Sequence, residues 1–187
     1  MGEIDILRHF RSAGALLEGH FILSSGLHSP IYLQCALALQ KPSEARIFGK
    51  LIAEKYLNEQ IETVASPAIG GLIIGFLVAD ALNARFIWTE RENGKMTLRR
   101  GFSVKKNERV LVVEDVVTTG GSTRECIEAL RGAKIIGATS IIDRSYGTAD
   151  VGVPRTWLVS MNVPVYAPQE CPLCVKGIPA IKPGSRR

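Results

Sequence analysis

The stretch VLVVEDVVTTGGST, residues 110–123, joins three kinds of sequence that usually serve different purposes. Its first four residues are apolar, and such a short apolar run predicts a buried strand. Two acids, Glu114 and Asp115, follow directly, and a loop of threonines, glycines and a serine comes after them. Buried carboxylates cost folding free energy unless they have partners. We therefore expect the two acids to accept hydrogen bonds, to hold a cation, or to do both.

The loop that follows the acids has the chemistry of an anion site. Ligands of open α/β sheets bind at the carboxyl ends of the strands, and a helix that begins there offers free N–H groups to an anion. Gly120 and Gly121 let the backbone approach a phosphate closely. Hydroxyl donors are added by Thr118, Thr119, Ser122 and Thr123. Acids for a ribose diol and N–H groups for a phosphate together predict a ribose 5-phosphate site; the alternative is a plain strand-to-helix turn with a serine N-cap.

Strands and helices alternate along the sequence around this stretch. Between residues 43 and 143, short apolar runs such as residues 85–89 and 135–143 are separated by helical patterns such as residues 70–82. This alternation predicts an α/β fold with a mostly parallel central sheet and helices on both faces. The first 40 residues hold short strands broken by Ser-Ser-Gly and Ser-Pro, and we expect them to form most of a small N-terminal hood. A chain of 187 residues without a linker predicts a single domain over residues 1–187.

The composition is that of an ordinary globular protein. Hydrophobic residues make up 46% and charged residues 22% of the chain, which is within the usual range. No apolar run reaches the roughly 18 residues of a membrane-spanning helix, and the N-terminus lacks the apolar core of a signal peptide. These features favour a cytoplasmic protein without a membrane partner. The net charge of +5 leaves both a phosphorylated substrate and a nucleic acid open as ligands.

Basic residues crowd into one segment that lacks any clear periodicity. Residues 91–106 are polar, basic and glycine-containing. This pattern predicts either a mobile loop or an irregular hairpin. A solvated surface loop would account for the charge without any function.

The four cysteines fall into two groups. Cys35 and Cys126 lie in apolar surroundings and are expected to be buried small hydrophobes. Cys171 and Cys174 form a single C-x-x-C, whereas a structural zinc site normally needs a second pair or histidines nearby. All three histidines lie within the first 28 residues. The sequence therefore favours a structural or incidental role for this cysteine pair over a zinc site, and we assign no metal ligands.

Residues 110–122 resemble the phosphoribosyl diphosphate signature of type I phosphoribosyltransferases. That signature has four apolar residues, two acids, two apolar residues and then T-x-G-[GST]-[ST], and the sequence matches it at every position. Other segments resemble the orotate phosphoribosyltransferases in particular: the hood pattern F-x-L-x-S-G-x-x-S-x-x-Y from residue 21, SPAIGG at the place of the diphosphate loop, ERENGKMTLRRGF at the place of a mobile catalytic loop, and the Asp-Arg pair at residues 143–144. The resemblance covers residues 21–186 and implies the type I phosphoribosyltransferase fold.

The resemblance implies how phosphoribosyl diphosphate is held. Glu114 and Asp115 would hold the ribose hydroxyls. The 5-phosphate would be wrapped by the residues that follow, namely Val116, Val117, Thr118, Thr119, Gly120, Gly121 and Ser122. Arg91 and Lys95 would bind the diphosphate leaving group in the site of the neighbouring subunit. Asp115, Arg91 and Lys95 are thereby implied as catalytic residues.

The resemblance also implies four orotate contacts, from Thr118, Arg144, Tyr32 and Ser24. A guanidinium can meet the orotate carboxylate through two parallel hydrogen bonds, which gives the Arg144 assignment a chemical basis. Without the resemblance, Arg144 would be interpreted as a surface salt-bridge residue and Tyr32 as part of the hood packing.

The implied reaction transfers a phosphoribosyl group from phosphoribosyl diphosphate to N1 of orotate, in the biosynthesis of UMP. Magnesium would be carried mainly by the diphosphate substrate. The protein would be a homodimer in which residues 91–106 reach the neighbouring subunit's site, and no nucleic-acid partner is implied. Two alternatives share the fold: a purine phosphoribosyltransferase, and a regulator that senses phosphoribosyl diphosphate while it binds nucleic acid.

The sequence departs from familiar members of the family at four places. Ser24 stands where many have a hood lysine, and Glu92 stands where many have a second basic residue. Ile69-Gly70 replaces a Tyr-Lys pair, and Thr97 replaces a histidine. Arg99 and Arg100 are the candidates for supplying the missing positive charge.

Overall fold

The structure, a computed structural model, describes residues 2–23 and 25–183. It divides into two compact units. One comprises Leu39–Met161, and the other joins Gly2–Ala38 to the chain from Asn162 onward. The second unit thus takes in a C-terminal segment that the sequence pattern does not connect with the hood. A single domain over residues 1–187 stays a prediction.

Strands and helices alternate through the first unit, which confirms the predicted α/β class. In chain order, the elements of the whole chain are α1 (Glu3–Ser12), β1 (Leu16–Ile22), β2 (His28–Leu33), α2 (Cys35–Ala38), α3 (Pro42–Glu54), β3 (Thr63–Pro67), α4 (Gly71–Leu82), β4 (Arg85–Glu92), β5 (Lys95–Leu98), β6 (Arg109–Val117), α5 (Gly121–Ala129), β7 (Lys134–Asp143), β8 (Arg155–Ser160), a 3-10 turn at Pro168–Glu170, and α6 (Pro172–Val175). Among the described helices, none combines the length and the apolar character that crossing a membrane requires.

Six strands form the central sheet of the first unit, in the order β5-β4-β3-β6-β7-β8. Every neighbouring pair is parallel except β4 and β5. This confirms the mostly parallel sheet. The antiparallel strand β5 lies at the edge, where a short hairpin can add to a parallel sheet without a crossover helix.

A change of direction in the middle of the sheet creates a crevice. α4 links β3 to β4 on one side, and α5 links β6 to β7 on the other. Because crossovers between parallel strands are right-handed, these two helices cover opposite faces, as predicted. β3 and β6 are neighbouring strands, and the helical connections that follow them run towards opposite edges of the sheet. Such a switch point is where open α/β sheets bind ligands.

The apolar run at the start of the quoted stretch is the centre of the core. Its four residues are each 0% exposed: Val110, Leu111, Val112 and Val113. They are buried because β6 lies between two strands and helices cover both faces. β6 is longer than the sequence pattern predicts, since it continues through both acids to Val117. The extra length comes from β7, which keeps pairing with β6 as far as Asp143.

Residues 91–98, from the segment without periodicity, form a regular β-hairpin. β4 and β5 pair with Glu92 opposite Lys95. Asn93 and Gly94 make the two-residue turn, with φ of +50° and +80°. Both central residues of a type I′ turn have positive φ, and Asn-Gly suits it best. The structure therefore shows a hairpin at this place, and the Asn-Gly pair is the local signal for it.

The second unit is built around the antiparallel hairpin of β1 and β2. The C-terminal segment adds one bridge to each strand: Phe21 pairs with Ile181, and His28 pairs with Tyr166. α1 contributes Phe10, which is fully buried. The hood is therefore made from both ends of the chain.

Candidate active site

The two acids, Glu114 and Asp115, lie on β6 beside the crevice. Pairing between β3 and β6 ends at Ala65 and Val112, whereas pairing between β6 and β7 continues beyond the acids. On the β3 side, the acids therefore border the turn that follows β3 instead of another strand.

Two glycines, Gly70 in that turn and Gly71 at the start of α4, leave room for the carboxylates. A Cβ atom added to Gly70 would lie 2.6 Å from Oδ1 of Asp115, and one added to Gly71 would lie 2.8 Å from the carbonyl oxygen of Val113. A side chain at Gly70 would force the Asp115 carboxylate to shift, and one at Gly71 would press on the backbone of β6, so glycine suits this close approach. Gly70 is one of the positions where the sequence departs from the family, and here it brings the turn against Asp115.

Burial changes the acidity of the two carboxyl groups. Glu114 is 7% exposed, and burial, followed by the nearby charge of Asp115, raises its pKa to about 9. Burial also raises the pKa of Asp115, although the N–H of Val116 donates a hydrogen bond to its Oδ1 at 2.9 Å. At neutral pH, Glu114 therefore holds a proton. A ligand that donates hydrogen bonds or brings positive charge would favour the fully ionised pair.

The loop between β6 and α5 has the backbone geometry of an anion site. Gly120 precedes α5 with φ of +74°, and a Cβ atom there would lie 2.6 Å from Cγ1 of Val151. Within the described residues, no side chain caps this end of α5. The first N–H groups of a helix have no acceptor inside the helix, so Gly121 and Ser122 can donate to an anion. Three hydroxyl-bearing residues of the loop are exposed: Thr118, Thr119 and Ser122.

One groove of about 190 Å³ collects most of the predicted site, and we refer to it as the β6 groove. Its lining residues are Arg91, Glu114, residues 116–123 and Glu125. Arg91 donates to the carbonyl oxygen of Gly94 at 2.9 Å and lies 2.7 Å from Oε2 of Glu125. Glu125 is absent from the sequence predictions, because nothing local marks it and only the fold brings it to Arg91.

Lys95 lies outside the β6 groove. It is exposed on β5 and lines a wider groove of about 660 Å³ between the hairpin and α5, together with Glu125, Glu128 and Arg131. Within one subunit, the structure therefore places Arg91 at the loop but does not place Lys95 there.

Arg99 and Arg100, the candidates for extra positive charge, are both paired with acids. Nη2 of Arg99 lies 3.3 Å from Oε1 of Glu92, and Arg100 forms an ion pair with Glu90. Exposed pairs of this kind contribute little to stability. Their charge is already partly neutralised within the segment that follows the hairpin.

Arg144 follows β7 at the same edge of the sheet as the loop. Its backbone N–H donates to the carbonyl oxygen of Val117 at 2.8 Å. This bond holds Arg144 next to Thr118, as the shared assignment of both residues to orotate requires. The structure thus brings together the ends of β6 and β7 that carry these two predicted contacts.

Asp143 anchors the turn that carries Arg144. It is 0% exposed, and it accepts hydrogen bonds from the Ser145 hydroxyl at 2.7 Å and from the Gly147 N–H at 2.6 Å. Burial alone would raise the pKa of Asp143, but these bonds and the charge of Arg155, 3.2 Å away, lower it. The pair with Arg155 joins β7 to β8, and the sequence gives no local sign of it.

The remaining two predicted residues belong to the second unit. Tyr32 lies on β2, where its hydroxyl donates to Oε1 of Gln34 at 3.3 Å and its ring centroid lies 5.8 Å from that of Phe21. Ser24 lies outside the described residues. Both orotate contacts stay predictions.

The phosphoribosyl transferase domain family matches this chain over residues 38–159. The chain is 50% identical to an orotate phosphoribosyltransferase of Pelotomaculum thermopropionicum over 100% of both chains. It is 54% identical to an orotate phosphoribosyltransferase of Thermotoga maritima, over 92% of this chain and 94% of that one. A solved structure of orotate phosphoribosyltransferase from Aeropyrum pernix matches with a TM-score of 0.72 and 28% identity, and covers 83% of this chain and 93% of that one. On the acid pair, the loop and these matches, the chain belongs to the orotate phosphoribosyltransferase family.

Proposed function

We propose that the protein transfers the 5-phosphoribosyl group of phosphoribosyl diphosphate to N1 of orotate, which yields orotidine 5′-monophosphate and diphosphate for UMP synthesis. The observation that carries the proposal is the β6 groove, where the buried carboxyl group of Glu114 adjoins the loop that leads into α5, with Asp115 next to it on β6. The names of the two relatives support orotate as the acceptor over a purine. They lend no support to a nucleic-acid-binding regulator.

The acid pair suits the ribose of the substrate. Two adjacent ribose hydroxyls offer two donors, and Glu114 and Asp115 offer acceptors from successive residues of β6. Since burial raises the pKa of both carboxyl groups, donors supplied by the sugar would replace the proton that Glu114 otherwise holds. Binding of the ribose is therefore coupled to proton release.

The loop suits the 5-phosphate. The N–H groups at the start of α5, the positive end of its dipole and the hydroxyls of Thr118, Thr119 and Ser122 would all donate to phosphate oxygens. Gly120 and Gly121 keep the backbone accessible at this point. Every one of these groups lines the β6 groove.

The acid pair also fits a magnesium ion that arrives with the substrate. Magnesium prefers one or two carboxylates together with phosphate oxygens and water. Burial raises the pKa of both carboxyl groups, and a cation beside them would favour their ionised forms. When bound, the ion would supply positive charge against the diphosphate.

The chain's own cations would hold the departing diphosphate. In the transfer, the bond from the anomeric carbon to the diphosphate oxygen breaks as the bond to N1 of orotate forms, and positive charge develops on the sugar. Arg91, which the resemblance assigns to the neighbouring subunit's site, lines the β6 groove of its own subunit, and we propose that it stabilises the charge on the leaving group there. Lys95 is exposed outside that groove, and we propose that it serves the neighbouring subunit's site in a homodimer.

Arg144 would orient the acceptor. Its position beside Val117 suits a guanidinium that pairs with the orotate carboxylate, and Thr118 would add a hydroxyl contact. Tyr32 and Ser24 are proposed as the two other orotate contacts. The reaction would take place in the cytoplasm.

The test is a direct assay of orotate consumption by its absorbance, with phosphoribosyl diphosphate and Mg²⁺ present. We expect orotate to be consumed, and adenine, xanthine and uracil to remain unchanged in parallel reactions. Diphosphate should appear in equal amount to the orotate lost. Consumption of a purine without consumption of orotate would overturn the proposal.

A further inference from the structure

Four potential metal ligands lie close together in the second unit, and none of them is a residue of the β6 groove. They are His20 on β1, His28 on β2, and Cys171 and Cys174 at α6; we refer to them as the His/Cys cluster. Their ligand atoms all lie within 4.8 Å of one another. His20 and Cys171 are 151 residues apart in the sequence, so only the fold brings them together.

The distances within the His/Cys cluster are close to those of a tetrahedral zinc site. His20 Nε2 lies 3.5 Å from the sulfur of Cys171 and 3.7 Å from that of Cys174, and His28 Nδ1 lies 3.3 Å from Cys174. Zinc bonds of about 2.3 Å to sulfur and 2.0–2.1 Å to nitrogen, at tetrahedral angles, separate sulfur and nitrogen by about 3.6 Å. The two nitrogens are 2.8 Å apart and would need to separate by only about half an ångström to reach tetrahedral spacing.

A backbone contact orients His20 as a metal ligand. Its Nδ1 lies 2.6 Å from the carbonyl oxygen of Ile178. A carbonyl oxygen can only accept, so Nδ1 carries the proton and Nε2 presents a lone pair to the cluster. Metal-bound histidines usually donate their second nitrogen in this way, because the bond fixes the tautomer and the ring orientation.

Hydrogen bonds alone satisfy the His/Cys cluster poorly. His20, His28 and Cys171 are buried, at 3%, 8% and 0% exposure. One imidazole can donate to the other, but the remaining partners are thiols, which are weak donors and weak acceptors. A cation bound by two thiolates and two neutral imidazoles would use all four lone pairs. Nitrogen and sulfur ligands together select zinc over magnesium or calcium.

We propose that the His/Cys cluster is a structural zinc site with two cysteine and two histidine ligands. All four positions of a tetrahedral ion are filled by protein, so the site is closed and has no place for a reacting ligand. Both thiols lose their protons on binding, and the two thiolates balance the ion's double charge. The ion joins the C-terminal segment to the β1–β2 hairpin. The sequence disfavours zinc because the histidines lie far from the cysteines along the chain, but the fold brings these residues together.

The site has a consequence for the hood. β2 carries His28 at its start and Tyr32, a proposed orotate contact, four residues later in the same strand. The ion would therefore hold the strand that bears Tyr32. Loss of zinc should lower the melting temperature by about 5–10 °C, which is typical for loss of a tightly bound ligand in a chain of this size.

The first experiment measures metal in the full-length wild-type protein, purified without chelators. Elemental analysis should find one zinc per chain. Titration with an organomercurial should release that zinc as two thiols react. Cobalt substituted for zinc should show tetrahedral d–d bands and a thiolate-to-cobalt charge-transfer band. Zinc well below one per chain after incubation with excess zinc and dialysis, or a Cys171–Cys174 disulfide in the freshly purified protein, would overturn the proposal.

Matched variants locate the ion. Cys174 is exposed, and the Cys174→Ser variant should contain at least tenfold less zinc than wild type and show a weaker cobalt charge-transfer band. The zinc content of His28→Gln should also fall. Cys35→Ala is the control, because Cys35 is a buried cysteine of the same unit outside the cluster. It should keep one zinc per chain. Equal zinc content in Cys174→Ser and in the control would show that the ion binds elsewhere. If a variant fails to fold, the metal analysis of the wild-type protein still tests the proposal.

Discussion

The β6 groove and the His/Cys cluster each bring several polar groups together, but the chain assembles them in different ways. In the groove, most lining residues belong to one continuous stretch from Glu114 to Thr123, and Arg91 on β4 lies beside them. In the cluster, His20 and Cys171 come from opposite ends of the chain. A contiguous site forms wherever its strand, turn and helix form, whereas the cluster forms only when both chain ends meet. Changes in the groove should therefore reduce activity with little loss of stability, and changes in the cluster should do the reverse.

Asp115→Asn should give the largest effect and the strongest test of this contrast. We expect turnover to fall by about 10²–10³-fold, since the amide lacks the charge that faces the sugar as positive charge develops. The melting temperature should not fall, because a buried ionisable group is removed. Steady-state kinetics and calorimetry measure the two quantities. Asp80→Asn, at an exposed position of α4, is the control, and a parallel collapse of stability in Asp115→Asn would break the comparison.

Lys95→Ala should lower turnover by about 10²-fold and leave orotate binding nearly unchanged, because its charge is assigned to the diphosphate. Mixing this variant with Asp115→Asn tests whether sites are shared between subunits. Each mixed dimer would have one intact site, so an equimolar mixture should recover about a quarter of wild-type activity after subunit exchange. Lys50→Ala, exposed on α3, is the control. No recovery from dimers that do exchange would assign Lys95 to its own subunit.

Arg144→Ala should raise the Michaelis constant for orotate by about 10- to 100-fold, the cost of a lost charge-assisted hydrogen-bond pair. The constant for phosphoribosyl diphosphate should change much less. Arg144→Lys should recover only part of the loss, since an ammonium cannot pair with a carboxylate in the same planar way. Arg46→Ala, exposed on α3, serves as the reference variant. Equal changes for both substrates would argue against a specific contact with orotate.

Glu114→Gln should have the smallest effect, a dependence of stability on pH. The folded protein keeps the Glu114 proton up to a pKa of about 9, whereas the unfolded chain releases it near the ordinary value of 4.5. Stability therefore falls as pH rises between these two values. The variant should melt close to the wild-type temperature at pH 5 and above it at pH 8.5, with a difference that grows steadily as the pH rises.

Thermal denaturation at a series of pH values measures this difference, with Glu54→Gln, an exposed residue of α3, as the control. A constant difference between Glu114→Gln and wild type at all pH values would show that Glu114 does not hold the proton.

The contiguous parts of the molecule could be predicted from sequence, because each carries its own local pattern. The buried strand from Val110, the acids and the helix start at Gly121 follow one another, so periodicity and residue chemistry were enough. The full length of β6 could not be predicted, since it depends on pairing with β7 as far as Asp143. The hairpin had a local signal in Asn93-Gly94, and its turn geometry makes that signal specific.

Features that depend on tertiary contacts could not be predicted from local sequence patterns. The pair of Arg91 with Glu125 and the pair of Asp143 with Arg155 join separate elements, and neither spacing marks a partner. The His/Cys cluster is the extreme case, because the histidines precede the cysteines by most of the chain. A C-x-x-C pair supplies half of a metal site, and only the fold shows where the other half comes from.

The glycine at position 70 ties the turn after β3 to the acid on β6. A side chain added there would start 2.6 Å from Oδ1 of Asp115. Introducing a lysine would therefore require either the turn or the Asp115 carboxylate to move. Residues 70 and 115 form a linked pair for protein engineering, because a cation can be added to the turn only together with a new position for the acid.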